Sequence, residues 1–126
     1  MSKPVFPTTN LCGELFNDLL NEKPILEIYV EKGEVIWSSD YSTVIDLEQS
    51  KDRIHISHYD GKIRSIEYVT TSKKVIKQMI TFLNTHFKKE PTLEKNALDI
   101  YDIYNADVLV FVSRSGTTHY IGIRII

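Results

Sequence analysis

The dipeptide Asp60-Gly61 constrains the fold of this chain more than any other feature of its sequence. It separates residues 53–59 from residues 62–69, two runs that are rich in β-branched and aromatic residues. Asp-Gly favours a two-residue turn in which both residues have positive φ, and a turn of that length fixes the register of the strands it joins. The sequence therefore predicts a β-hairpin in which Tyr59 pairs with Lys62.

This register divides the hairpin into two faces, because directly opposed residues of an antiparallel pair share a face. The apolar face is assigned to the core and carries Ile54, Ile56, Ile63 and Val69. The other face is basic and aromatic, and the predicted register leaves it without a carboxylate. We interpret it as a surface that binds a protein partner with an acidic patch. Its candidate contact residues are Arg53, His55, Tyr59, Lys62, Arg64 and Tyr68.

Hydrophobic periodicity in the rest of the chain predicts an α+β fold. Apolar residues at helical spacing predict three helices, at residues 11–21, 73–87 and 92–104. Alternating or β-branched runs predict further strands at residues 25–31, 34–38, 41–47, 107–112 and 119–126. The expected architecture is an antiparallel β-sheet of about five to seven strands built from hairpins. The three helices are expected to pack mainly on one face of it.

Three local features add to this outline of a single domain spanning residues 1–126. Pro4 and Pro7 predict that residues 1–8 form a loose N-terminal arm, because proline disfavours regular structure there. Trp37 is assigned to the core. Residues 107–112 are apolar on both faces of the predicted strand, which indicates the most buried strand of the sheet.

Length and composition restrict the class of protein. The 126 residues are 42% hydrophobic and 25% charged, as in an ordinary globular domain. No apolar run is long enough to cross a bilayer, and the N-terminus lacks the apolar stretch of a secretory signal. The single cysteine, Cys12, cannot form an internal disulfide. These features predict a cytoplasmic protein without a membrane partner.

The residue types that usually carry catalysis are not grouped in this sequence. His55 and His58 lie three apart on a predicted strand and therefore point to opposite faces, so they cannot share a metal ion. Cys12 near a helix start has two interpretations, an activated thiolate or a half-buried structural residue, and the second is favoured. We therefore expect no metal, no cofactor and no enzymatic activity.

The segment from Ser113 to Thr118 combines hydroxyl side chains, an arginine and a glycine after an apolar strand. Its residues Ser113, Ser115 and Thr118 match the Ser-x-Ser-Gly-x-Thr phosphate loop of sugar-isomerase (SIS) domains, which the segment resembles. The resemblance implies a phosphate-binding loop followed by a helix. The alternative is a hairpin loop, since the residues after it alternate as in a strand.

These observations favour a binding module over an enzyme. A small protein with a charged, tyrosine-bearing face is typical of an inhibitor, immunity or adaptor protein, because Tyr and Arg are enriched at protein interfaces. An alternative is single-stranded nucleic-acid binding, in which bases stack on exposed aromatic residues. The net charge of −2 argues against that alternative. A sensor or enzyme that uses the Ser113–Thr118 segment for a phosphorylated ligand is the third hypothesis.

Overall fold

The structure, a computed structural model, describes residues 5–24, 33–47, 51–89, 98–102 and 107–125. Within these ranges the chain forms two α-helices and eight β-strands. In chain order they are α1 (Leu11–Leu20), β1 (Glu34–Ser38), β2 (Ser42–Asp46), β3 (Arg53–Tyr59), β4 (Lys62–Thr70), α2 (Lys73–His86), β5 (Lys88–Lys89), β6 (Leu98–Asp102), β7 (Val108–Ser115) and β8 (Thr118–Ile125).

The eight described strands form one antiparallel sheet in the order β1-β2-β3-β4-β8-β7-β6-β5. This order repeats a topological unit of one helix followed by four strands, first from α1 to β4 and then from α2 to β8. The last strands of the two units, β4 and β8, pair with each other at the centre of the sheet. The sheet is therefore continuous across the junction between the two halves of the chain.

The core lies between the two helices and one face of the sheet. Helix α1 begins after Asn10, whose side-chain oxygen accepts a hydrogen bond of 2.9 Å from the Gly13 amide and so caps the helix. Helix α2 buries Met79 and Leu83. The buried sheet residues that form this core include Ile45, Ile54, Ile56, Ile66, Ile121, Ile123, Val110 and Val112.

The α+β class and the antiparallel sheet are confirmed, but the numbers of elements differ from the prediction. The described residues contain eight strands instead of five to seven, and two helices instead of three. The helix predicted at residues 92–104 is wrong at Leu98–Asp102, which form β6. Pairing with β7 gives that segment a strand period, with Leu98 and Ile100 on one face and Tyr101 on the other. The strand predicted at residues 25–31 lies outside the described residues.

Residues 5–7 are not part of a loose arm, which corrects the expectation drawn from the two prolines. The Phe6 side chain is only 1% exposed and belongs to the core. Its backbone is held by Asn17 of α1, whose side chain accepts from the Phe6 amide at 2.9 Å and donates to the Phe6 carbonyl at 3.0 Å. This segment is therefore packed onto the first helix.

The turn at Asp60-Gly61 is confirmed, since both residues have positive φ, 53° and 78°. A β-branched side chain is strained at positive φ, so Gly61→Val is expected to lower the free energy of unfolding by about 1–3 kcal/mol. Urea unfolding should show a lower midpoint at unchanged slope. Gly61→Asn is the matched control, because asparagine tolerates this region and should cost less. Equal midpoints for the valine variant and the wild type would contradict the assigned turn.

Candidate binding face of the sheet

The face of the sheet opposite the core packs against neither of the described helices, and we call it the open face. Cross-strand pairs place its side chains in rows that run across the strands. The central row consists of Trp37, Val44, His55, Glu67, Gly122, Phe111 and Ile100. Beside it lies the serine–arginine row, which consists of Ser42, Ser57, Ser65, Arg124 and Leu109.

A register shift between β3 and β4 changes the predicted composition of this face. Tyr59 pairs with Lys62 as expected, but the pairing then moves by one residue at a bulge near Arg64. Beyond the bulge, His55 pairs with Glu67 instead of Ile66. The open face therefore does carry a carboxylate, and the prediction that it has none is wrong.

The same shift moves Tyr68 into the core, so its predicted place on the binding surface is wrong. Tyr68 is 3% exposed, pairs with Ile54 and donates a hydrogen bond of 2.6 Å from its hydroxyl to the Asp52 carboxylate. The other candidate contact residues lie on the open face: Arg53, His55, Tyr59, Lys62 and Arg64.

Arg53 differs from the remaining cations of the open face because it has an acidic neighbour. Its guanidinium lies 3.8 Å from the Asp46 carboxylate, on the paired strand β2. Lys62, Arg64 and Arg124 have no ion pair with any described residue. Among the described residues of this face, these three side chains are therefore available to an incoming anion.

A cavity of about 540 Å³ opens on this face where the two halves of the chain meet. Its lining is polar on the side of β3 and β4, where Ser57, Arg64, Ser65 and Glu67 lie, with Arg124 of β8 beside them. The lining is apolar on the side of β6 and β7, where Leu98, Ile100, Leu109 and Phe111 lie, and Ile125 of β8 follows Arg124. Its size is within the range typical of small-ligand sites.

Gly122 is buried beneath the Phe111 ring, which lines the cavity in its place. It lies between Glu67 and Phe111 in the central row, and a Cβ atom at this position would overlap the Phe111 ring. The ring therefore leans over the glycine and extends the apolar wall toward Glu67. A larger residue at position 122 would displace the ring, so the shape of the wall depends on this glycine.

Burial changes the protonation of the two ionisable residues that face each other in the central row. It raises the pKa of the Glu67 carboxyl from its ordinary value of 4.5. Burial, with a smaller contribution from the Arg53 charge, lowers the pKa of His55 from its ordinary value of 6.5. Both shifts make the charged form of the side chain less favourable than it is in water.

The pH dependence of stability is expected to change in opposite ways in Glu67→Gln and His55→Gln. The raised pKa of Glu67 gives a contribution that is present below pH 4.5 and is lost as the pH rises through the folded-state value. The lowered pKa of His55 gives a contribution that is present above pH 6.5 and is lost as the pH falls through the folded-state value. Because both side chains are partly exposed, each effect should be within about 1 kcal/mol.

Urea unfolding at several pH values would measure these contributions. Relative to the wild type, Glu67→Gln should gain stability toward neutral pH, and His55→Gln should lose less stability toward acidic pH. Parallel stability profiles for the three proteins would show that neither shift is coupled to folding.

Exposed aromatic residues occupy the end of the open face near the Asp60-Gly61 turn. Tyr59 is 60% exposed and stacks on Tyr41, which is 63% exposed, with ring centroids 6.0 Å apart and ring planes within 6°. Trp37 is 54% exposed, so its assignment to the core is wrong. A shift of register within β1 pairs it with Val44 of the central row.

The segment from Ser113 to Thr118 forms the end of β7, a two-residue turn and the start of β8, so it is a tighter hairpin than a six-residue loop, the alternative to the phosphate loop. Ser115 pairs with Thr118 across a two-residue turn, and Ser113 pairs with Tyr120. The following residues form β8, whereas the SIS resemblance implies a helix. The backbone of these residues is engaged in the ladder between two strands, so it does not form the cradle of that loop. Phosphate binding by Ser113, Ser115 and Thr118 stays a prediction.

Cys12 is completely buried in the core rather than half-buried. Burial raises the pKa of its thiol well above the ordinary value, and the charge of Asp52 acts in the same direction. A thiol with a raised pKa is a weaker nucleophile at neutral pH, so the activated-thiolate interpretation is wrong.

Sequence reasoning missed the second half of this face, namely Phe111, Gly122 and Arg124. The signal for it was the apolar character of residues 107–112 on both faces of the strand. One set of those side chains enters the core, and the other set, Leu109 and Phe111, forms the apolar wall on the open face. The junction between β4 and β8 left no local signal in the sequence.

The part of the chain that the structure describes contains no group of three or more His, Cys, Asp or Glu side chains that could hold a metal ion. Neither of its helices combines the length and the apolar character that crossing a bilayer requires. No family model matches the sequence, and the comparisons with curated proteins and with solved structures gave no significant match.

Proposed function

We propose that this protein is a binding module that acts by occupying another protein, as an inhibitor, immunity or adaptor protein does. The observation that carries the proposal is the grouping of exposed aromatic residues with available cations at one end of the open face. Tyr59 is stacked on Tyr41 and pairs across the hairpin with Lys62, and Arg64 follows at the bulge. We call this group the aromatic–basic patch.

The composition of the patch matches the residues that contribute most to binding at protein interfaces. Trp, Tyr and Arg are enriched among such residues, and the rigid ring of Tyr buries a large area at a low cost in conformational entropy. The stacking of Tyr41 on Tyr59 fixes both rings before a partner arrives, which lowers the entropic cost of association. Lys62 and Arg64 define the chemistry of the partner, which is expected to present an acidic patch beside apolar side chains.

A photo-crosslinking residue tests the location of the interface. Placed at position 41, it should capture one protein from a lysate of the source organism, which mass spectrometry identifies. The matched control places the same residue at Lys74, an exposed position on α2. Capture from both positions, or from position 74 alone, would contradict an interface at the aromatic–basic patch.

Reversing the charges of Lys62 and Arg64 to glutamate is expected to weaken binding of the captured protein by about 100-fold or more. Like charges placed against an acidic partner cost several kcal/mol and slow association. Both side chains are exposed, so the melting temperature should change little. Arg114→Glu, an exposed change outside the patch, is the control. Unchanged affinity for the double variant would rule out this patch as the binding surface.

Salt dependence separates this proposal from single-stranded nucleic-acid binding. Nucleic-acid affinity falls steeply with salt concentration, because bound counterions are released from the phosphates. A labelled mixed-sequence oligonucleotide is expected to show no binding at physiological salt. Binding with a steep salt slope that the Lys62 and Arg64 reversals abolish would replace the protein-partner proposal.

A further inference from the structure

We propose that the cavity at the junction of the two halves binds a small amphipathic anion, a molecule with a carboxylate or sulfonate group and a short apolar tail. This site goes beyond the proposed protein-binding function, and it is lined mainly by residues outside the aromatic–basic patch. The inference rests on the lining of the cavity, which changes from cationic to apolar across the strands.

The anionic group is expected to lie over the serine–arginine row. Arg124 lies beside Ser65 in the register of β4 and β8, and Ser57 lies beside Ser65 in that of β3 and β4. Arg64 reaches the same side of the cavity from the bulge. Neither arginine has an ion-pair partner among the described residues. Two guanidinium groups and two hydroxyls supply the donors that a carboxylate accepts from.

The tail is expected to lie over β7 and β6, on the opposite side. Leu109 is the neighbour of Arg124 in the serine–arginine row, so the change from cationic to apolar occurs within one strand spacing. Phe111 and Ile100 continue the apolar wall in the central row. These side chains are only partly buried, so an apolar tail would remove further apolar surface from water.

Glu67 is the one carboxylate among the described residues that line the cavity, and its position is compatible with a bound anion. It lies in the central row, one row away from Arg124, with Gly122 as its neighbour on β8. Burial raises the pKa of its carboxyl, which makes the negative charge that would repel the ligand less favourable.

The first experiment titrates the ¹⁵N-labelled protein with hexanoate, octanoate and decanoate and follows amide chemical shifts. Amides of Gly122, Glu67 and Phe111 should shift together. Each added methylene should tighten binding by about two- to fourfold, as expected for burial of an apolar tail. Octanesulfonate should bind like octanoate, whereas acetate and octylammonium should not. Shifts that are scattered over the surface, or an affinity that is independent of tail length, would overturn the proposal.

The second experiment tests the residues. Arg124→Gln should weaken octanoate binding by about tenfold or more, the loss expected for a hydrogen bond to a charged group. Arg114→Gln removes the same charge from a residue that does not line the cavity and should leave binding unchanged. Glu67→Gln should bind octanoate at least as tightly as the wild type. Equal binding by the Arg124 and Arg114 variants, or weaker binding by Glu67→Gln, would overturn the assignment.

The protein-partner proposal and the anion-site proposal can be tested independently of each other. Arg124 is not part of the aromatic–basic patch, so Arg124→Gln should retain the crosslinked protein partner while it loses octanoate. Tyr41→Ala should lose the crosslinked protein partner while it retains octanoate, because Tyr41 lies in the patch and does not line the cavity.

Discussion

Phe6→Ala is expected to lower the free energy of unfolding by about 3–5 kcal/mol, the loss that is typical when a buried phenylalanine is truncated. The ring is 1% exposed and lies 5.0 Å from the Phe16 ring, 5.6 Å from the Phe82 ring and 5.8 Å from the Phe87 ring, measured between centroids. It therefore joins α1 to the end of α2. Urea unfolding of the purified variant gives the measurement.

Val5→Ala is the matched control for this prediction, since the Val5 side chain is 76% exposed. It should change the stability by no more than about 0.5 kcal/mol, as surface substitutions usually do. If Phe6→Ala had an equally small effect, the segment before α1 would not be packed on the core in solution.

Gly13→Ala tests the packing of the N-terminal segment on α1 through a substitution in the helix. Alanine normally stabilises a helix by about 1 kcal/mol relative to glycine. Here a Cβ atom at position 13 would overlap the Pro7 carbonyl oxygen, so the first helix and the N-terminal segment would have to separate. We expect a net loss of about 1–3 kcal/mol, as for an overpacked core position. An increase in the free energy of unfolding for Gly13→Ala would show that the segment around Pro7 can move away from the helix without loss of stability.

The docking of Phe6 also shows what the sequence could not reveal about the fold. Pro4 and Pro7 act locally, and they do exclude helix and strand from the segment around Phe6. Whether such a segment is loose depends on contacts with distant residues, and Phe82 and Phe87 lie more than seventy positions away. Local signals predicted the backbone conformation of the segment correctly, but they could not predict its burial.

Some features of the candidate site follow from residues that are close in sequence, and others depend on residues that are distant in sequence. The Asp60-Gly61 turn and the positions of Tyr59, Lys62 and Arg64 on one face follow from residues close in sequence. The bulge near Arg64 does not, and it reverses the faces of the residues beyond it because side chains alternate along a strand. The cavity depends on the pairing of β4 with β8, residues about fifty-five positions apart such as Glu67 and Gly122.

The error at Leu98–Asp102, where a helix is predicted and a strand is found, has a related cause. Leu93, Ala97, Ile100 and Tyr104 repeat at helical spacing, but a strand needs only that Leu98, Ile100 and Tyr101 alternate suitably between the faces. Where both periods fit a short segment, tertiary pairing decides. Pairing with β7 makes Leu98–Asp102 a strand rather than part of a helix.

Asp52→Ala is expected to lower the free energy of unfolding by about 3 kcal/mol or more, because this buried carboxylate accepts two short hydrogen bonds. The Tyr68 hydroxyl donates to it at 2.6 Å and the Thr70 hydroxyl donates at 2.7 Å, and Asp52 is 6% exposed. Hydrogen bonds to charged groups contribute about 1.5–3 kcal/mol each. The Thr70 hydroxyl in turn accepts from the Ser72 amide at 2.9 Å, at the N-cap of α2. The network therefore connects the start of β3 to the start of the second helix.

A double-mutant cycle separates the loss of these bonds from the loss of packing around Asp52. Tyr68→Phe removes one donor and keeps the ring, so it should cost about 1.5–3 kcal/mol in the wild type. In the Asp52→Ala background the same change should cost at least about 1 kcal/mol less, because its partner has already been removed. Ser42→Ala, a change on the open face, should be additive with Asp52→Ala. Equal costs of Tyr68→Phe in both backgrounds would mean that this hydroxyl does not contribute to the stability of the carboxylate. The loss on removing Asp52 would then have to come from Thr70 or from other contacts of the carboxylate.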